Sequence, residues 1–250
     1  ARYTSHLLMA TTDDCIPGYR RLADACHGHG AVVVGQIFHP GREIMESSDG
    51  RAPVAYSSSD TPSERFHVTP RPLDQAGIDV MVQGYADAAR RLGEGGLDGV
   101  EVVASHGYLP AQFLNRRVNR RDDAYGEEPV RFLREVLQAV RAASGDRIVG
   151  LRISVDEMSW DGLEPDEALA AIREVSDLGL IDYVNLVAGS SASNAGSIHI
   201  VPPMAVPNGY TVPLAQQVRA VTDVPLILGG RFNEPTQAER VIAAGDADAC

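Results

Sequence analysis

The sequence predicts an α/β fold, a (β/α)8 TIM barrel, and three observations carry that expectation. Short β-branched apolar runs alternate with stretches of helical period, the pattern of parallel βα units. Strands such as VPLILGG and DYVNLVAG are apolar almost throughout, as a sheet covered on both faces requires. Strand after strand then ends in polar or glycine-rich sequence, at 36–42, 105–108, 152–157, 189–193 and 229–231. A doubly wound sheet satisfies the first two observations equally well. The third favours the barrel, whose sites are built at the C-terminal strand ends.

Each element follows from local chemistry. Residues 16–29 predict a helix with Pro17 in its first turn and Gly28 and Gly30 at its end, and 31–38 is the strand after it. Ile78, Met81, Val82, Tyr85, Ala86, Ala89 and Leu92 fall at helical spacing within 75–93, and that helix feeds a strand at 99–105. A helix at 129–143 precedes a strand at 147–154, and a helix at 165–178 precedes a strand at 182–188. Helix 212–222, strand 225–230 and helix 235–244 continue the alternation, with a further strand beginning at Ala247. Residues 43–72 are Ser- and Pro-rich without helical period, an excursion or lid on one barrel domain spanning 1–250. No internal repeat stands out.

Composition narrows the function. With 250 residues, 44% apolar and 22% charged, the chain can bury one large core. A net charge of −12 argues against a nucleic-acid surface, which needs clustered Lys and Arg. Cys15, Cys26 and Cys250 are odd in number and lack C-x-x-C spacing, so neither a disulfide framework nor a cysteine-built metal site is expected, and a reducing cytoplasmic setting fits. No apolar run reaches the ~18 residues of a membrane span, and the N-terminus lacks the basic-then-apolar layout of a secretion signal. Small molecules are the expected partners, with no membrane and no nucleic acid; a homo-oligomer stays open.

The segment 98–123, DGVEVVASHGYLPAQFLNRRVNRRDD, carries H-G-Y-L, Q-F-L and then N-x-R-x-D-x-Y-G (Asn119, Arg121, Asp123, Tyr125, Gly126). It resembles the old yellow enzyme superfamily of NADH:flavin oxidoreductases, nearest the branch holding 2,4-dienoyl-CoA reductases, amine dehydrogenases and N-demethylases. Four further blocks agree in order and spacing: GQIFHPGRE, VGLRIS, GSIHIVPPM and ILGGRFNEP. The resemblance covers nearly the whole chain. It implies FMN as cofactor, NADH or NADPH as hydride donor, and hydride transfer to an activated alkene such as an enoyl or dienoyl thioester or an enone.

The resemblance also assigns roles to residues. Tyr108 matches the family's proton donor, which protonates a carbanion-like carbon opposite the incoming hydride; the alternative is a core tyrosine whose hydroxyl finds a carbonyl. His106 lies two residues earlier, so an extended segment sends both side chains to one side. His106 would then contact the substrate's carbonyl or amine. His199, after the corresponding strand, matches a histidine near the active tyrosine of dienoyl-CoA reductases, although a loop histidine is also an ordinary surface residue.

Gln36, at a strand end, offers a donor and an acceptor to a planar ring edge, and in the family it pairs with the pyrimidine edge of the isoalloxazine. Arg152 is a cation in an apolar strand; the family's arginine faces the N1 and C2 carbonyl region of the flavin, and a structural ion pair with Asp156 or Glu157 is the alternative. Gly229, Gly230 and Arg231, placed just before a helix, resemble half of the family's FMN phosphate site. The Arg-rich turn 116–121, interleaved with Asp122 and Asp123, reads as a solvated ion-pair network.

Departures from the family pattern matter. Enoate reductases read H-x-x-H/N-x-Y, whereas this chain has Val103 at the first position, which removes one donor to a substrate oxyanion. Oxidative N-demethylation or amine dehydrogenation therefore stands as an alternative, with Trp160, Tyr56 and Glu157 as candidates to cage a cation. Against the family barrel the chain is expected to be incomplete at both ends, and it is shorter between Gly126 and Val130. A non-flavin barrel lyase or isomerase, or an inactive fragment, is the reading from another class.

Overall fold

A computed structural model describes residues 7–45 and 53–250; part of the expected lid, 46–52, lies outside the described residues. The first unit comprises α1 (Ile16–His27) and β1 (Val34–Ile37), and the two-residue strands β2 (Tyr56–Ser57) and β3 (Arg71–Pro72) follow. Then come α2 (Gln75–Glu94), β4 (Gly99–Ala104), α3 (Leu109–Leu114), α4 (Ala124–Glu127), α5 (Arg131–Ser144) and β5 (Ile148–Asp156). The chain continues through α6 (Pro165–Asp177), β6 (Tyr183–Ala188), α7 (Asn194–Ile200), α8 (Val212–Arg219), β7 (Leu226–Leu228) and α9 (Pro235–Ala243). The expected strand at Ala247 is present as a single parallel bridge between Ala249 and Ile227.

The main sheet runs β1-β4-β5-β6-β7 and is parallel throughout. Its strands lie side by side in chain order, without the reversal that defines a doubly wound sheet. This resolves the choice in favour of a barrel, present as an open arc among the described residues.

Alternation along the strands separates two faces. Val100, Val102, Ala104, Val149, Leu151, Ile153, Val184, Leu186, Leu226 and Leu228 are all buried against the helices. α5 meets them with Phe132, Leu133, Val136, Leu137 and Val140, a helical stripe fully withdrawn from water, each side chain contributing ~1.5–3 kcal/mol by burial. The inner face is mixed, carrying Gln36, Glu101, Arg152, Tyr183 and Asn185 beside Val103, Val187 and Ile227. Of the two strands expected to be apolar on both sides, VPLILGG is so, with Ile227 inward, whereas DYVNLVAG turns Tyr183 and Asn185 inward.

A recurring aspartate pins the lower ends of the strands. Asp98, Asp182 and Asp248 each accept, at 2.7 Å, the backbone N–H of a residue at the start of the preceding sheet strand: Val33, Val149 and Leu226 respectively. Each also pairs with a basic side chain near the end of an earlier helix: His27, Arg141 and Arg219. Three βα units thus repeat one device, which the sequence did not reveal as a repeat.

Candidate active site

The eight residues singled out in the sequence converge on one cavity of about 620 Å³ above the strand ends. Gln36 comes from β1, His106 and Tyr108 from the turn after β4, Arg152 from β5, His199 from α7, and Gly229, Gly230 and Arg231 from the segment after β7. Val103 and the aromatic side chains Phe38, Tyr210 and Phe232 complete much of the wall.

The turn after β4 is not extended, contrary to expectation. His106 and Gly107 both adopt positive φ, 60° and 75°, a left-handed pair that costs on the order of 1–3 kcal/mol at the non-glycine position. The surroundings hold it there. The His106 N–H donates to Ser154 Oγ at 2.9 Å, the His106 carbonyl accepts from Ser191 N–H at 2.9 Å and Ser191 Oγ at 2.8 Å, and Gln112 Nε2 donates to the Gly107 carbonyl at 2.6 Å. A Cβ at Gly107 would come 2.6 Å from Ser190 Oγ. The two side chains still share the cavity, with ring centroids 6.0 Å apart, but through a turn rather than strand alternation. Tyr108 also lies 5.0 Å from the Phe38 ring and stands at the N-cap position of the wholly buried α3.

Burial, and then the Arg152 charge, push the His106 imidazole down to about 4. It is therefore neutral near pH 7. Its Nδ1 sits 2.5 Å from Ser105 Oγ, which leaves Nε2 as the ring nitrogen for an occupant of the cavity.

Gln36 Nε2 donates to Glu101 Oε1 at 2.5 Å. Arg152 has no ion pair among the described residues, so the structural pairing with Asp156 or Glu157 does not form. Asp156 accepts from the Met158 N–H and Glu157 from the Leu163 N–H instead. The guanidinium is left on the inner face between Val103 of β4 and Asn185 of β6.

Arg231 is anchored through one nitrogen to the Val206 carbonyl at 3.0 Å and Asn208 Oδ1 at 2.6 Å. The helix expected over 235–244 follows it at Pro235–Ala243. A Cβ at Gly230 would fall 2.0 Å from Thr211 Oγ1, itself a buried hydroxyl without a partner among the described residues. His199, expected on a loop, lies on α7 with Nδ1 3.1 Å from the Ala195 carbonyl and its ring 5.8 Å from Tyr210.

Three expected cage residues lie elsewhere. Trp160 is 83% exposed, Glu157 is buried, and neither these nor Tyr56 lines the cavity. Burial raises the Glu157 carboxyl to about 7, and its Oε1 has no hydrogen-bond partner among the described residues. Sequence reasoning missed Glu101, although a carboxylate inside GVEVVA is as conspicuous as Arg152 inside VGLRIS. It also missed Tyr210 and Phe232, which carry no local signal. The Arg-rich turn forms ion pairs as expected, Arg121 with Asp123, but Arg121 is largely buried rather than solvated, and Arg117 reaches Glu164 and Glu167 at the start of α6 instead of the turn's own aspartates.

A family model described as NADH:flavin oxidoreductase / NADH oxidase family matches residues 2–249. The chain is 36% identical over 252 residues to the N,N-dimethylglycine/sarcosine dehydrogenase of Chromohalobacter salexigens, covering 95% of this chain and 35% of that protein. It is 33% identical over 250 residues to the NADPH dehydrogenase of Geobacillus thermodenitrificans, covering 99% of this chain and 69% of that one. A solved 2-naphthoyl-CoA reductase, in complex with 2-naphthoyl-CoA, superposes with a TM-score of 0.86 at 27% identity, over 95% of this chain and 38% of that chain. The chain thus spans about a third of the length of several curated relatives it matches.

Proposed function

This chain belongs to the NADH:flavin oxidoreductase / NADH oxidase family, and on that premise we propose that it forms the FMN-binding catalytic barrel of an oxidoreductase reducing an activated alkene at the expense of NADH or NADPH. The observation that carries the reading is convergence: a carboxamide, an arginine without a carboxylate partner among the described residues and a glycine-arginine segment reach one cavity from three strands, together with Tyr108.

The donor set fits the flavin. Gln36 keeps an acceptor and one N–H for a ring edge. Arg152 supplies positive charge where negative charge collects on reduction. Gly230 lets the backbone approach a phosphate, with Arg231 and the orphaned Thr211 hydroxyl close by. FMN, when bound, supplies the hydride relay.

The remaining chemistry belongs to the chain. Tyr108 gives its phenolic proton to the carbon that becomes carbanion-like, and neutral His106 orients the substrate's carbonyl through a hydrogen bond. His199 closes the cavity beside Tyr210. Donor and acceptor occupy the same space in turn, which leads to ping-pong kinetics.

A second reading is oxidation of an N-methyl amine. The identity to the dimethylglycine/sarcosine dehydrogenase favours it, as do Val103 in place of a hydrogen-bond donor and the aromatic wall of Phe38, Tyr210 and Phe232, which suits a cation. Flavin absorbance of the purified full-length protein tests the common premise. Anaerobic bleaching by NADPH or NADH supports alkene reduction; bleaching by methylated amines and not by nicotinamides supports the second reading. A protein that stays colourless with added FMN sinks both.

We assign the enzyme to a reducing cytoplasm, in keeping with unpaired Cys15, Cys26 and Cys250. Among the described residues no helix is long and apolar enough to cross a membrane. Self-association, readable by light scattering, is compatible with this reading.

A further inference from the structure

Glu101 occupies the middle of β4 on the inner face and is 3% exposed. A buried carboxylate is costly unless its lone pairs are occupied. Here donors from two other strands occupy them. Tyr183 OH and Asn185 Nδ2, both from β6, reach Oε2 at 2.8 and 3.0 Å, and Gln36 Nε2, from β1, reaches Oε1 at 2.5 Å. Gln36, Glu101, Gly150 and Tyr183 lie in one register row across four strands. Tyr183 spans β5 only because position 150 has no side chain, since a Cβ there would lie 2.1 Å from Tyr183 Cζ.

We infer that Glu101 is a positioning residue that fixes which end of the Gln36 carboxamide faces the cavity. The inference rests on the flavin reading above and adds to it the residue through which Gln36 becomes selective. An unanchored carboxamide presents its oxygen or its nitrogen by a half-turn about its last bond. Glu101 has only acceptors to offer and engages only the nitrogen. Tyr183 and Asn185 hold the carboxylate from the far side, so it cannot rotate away to follow a flipped amide. The Gln36 oxygen and its second N–H are thereby committed to the cavity, an acceptor-donor pair that complements a ring edge bearing an N–H beside a carbonyl. Such an edge is the pyrimidine side of an isoalloxazine.

The test is a double-variant cycle on FMN affinity in the full-length protein. Flavin fluorescence quenching and the visible bands of the bound flavin are the readouts. Glu101→Gln preserves shape but offers Gln36 either an acceptor or a donor, so the amide loses its fixed sense. The FMN dissociation constant is expected to rise about tenfold, the loss of one hydrogen bond to a charged group, with a shift of the bound-flavin bands. Gln36→Met is expected to weaken FMN as well, and Gln36→Met/Glu101→Gln to bind within about twofold of Gln36→Met alone, because Glu101 acts through Gln36.

If Glu101→Gln does not fold, Tyr183→Phe replaces it. That variant removes one of the two far-side anchors, and a smaller weakening is expected that again vanishes in the Gln36→Met background. Glu101→Gln binding FMN within about twofold of wild type with unchanged bands, or losses that multiply in the double variant, overturn the role of Glu101 while leaving the flavin reading intact. A wild-type protein that binds no FMN overturns both.

Discussion

The ring of Tyr183 lies across Gly150, so that the two residues form one packing unit spanning β5 and β6. Gly150→Ala is expected to displace the ring, break its bond to Glu101 and cost about 1–3 kcal/mol in urea unfolding, the range for overpacking a filled site. In a Tyr183→Ala background the cost of Gly150→Ala should largely vanish, the signature of a coupled pair. An undiminished cost there would show that the strand itself, rather than the ring, rejects the methyl group.

Glu157 makes stability depend on pH. Burial raises its carboxyl from 4.5 to about 7, the Leu163 N–H and the Arg42 charge opposing that rise and Glu43 and Asp161 adding to it. Between these values the unfolded chain releases the proton and the folded chain keeps it. The contribution is therefore complete below 4.5 and is lost as pH climbs through about 7. Glu157→Gln should gain on wild type by up to the order of 3 kcal/mol between pH 5 and 8, read from denaturant midpoints. Parallel pH profiles of the two proteins would rule this out.

Two of the strand-end aspartates, Asp98 and Asp248, work in the opposite sense. Hydrogen bonding to Val33 and to Leu226 holds Asp98 and Asp248 below the ordinary carboxylate value of 3.8. Their stabilisation is present above that value and fades as pH falls through the lowered ones. Asp182→Ala, which leaves the Val149 N–H without its acceptor, is expected to cost about 1–3 kcal/mol and to speed hydrogen exchange at Val149. An unchanged exchange rate there would remove the clamp.

Tyr108→Phe should leave flavin reduction by the nicotinamide intact and slow alkene turnover about a hundredfold or more, the usual weight of a general acid. Because His106 titrates at about 4, the acceptor step should show no inflection near the ordinary histidine value of 6.5. Stopped-flow measurement of each half-reaction separates the two effects, and equal acceptor rates for mutant and wild type would take Tyr108 out of the mechanism.

Much of the architecture is legible in the sequence because long helices bury a periodic face. The 20-residue α2 carries its apolar residues at the expected spacing, and 75–93 matches Gln75–Glu94 closely. α3, α4 and α7 have six, four and seven residues, too short for a period to register, and were not foreseen. Strand 31–38 is overdrawn because apolar character persists beyond the pairing of Val34–Ile37. The lining of the candidate site was legible where a residue breaks its strand's pattern, as Gln36 and Arg152 do. Trp160 could not be placed, since nothing in one sequence says which loop aromatic turns inward. The unequal spacing of Asp98, Asp182 and Asp248 hid their equivalence.

The turn at His106 and Gly107 is secured almost entirely through main-chain atoms, so its shape is independent of what positions 106 and 108 carry. Side chains there can be exchanged while the scaffold stands still, subject to one filter at position 106: only His, Asn, Asp or Gly sits comfortably in a left-handed backbone. The vocabulary available for recognising a new substrate at this spot is correspondingly narrow, and diversification must come from the opposing wall.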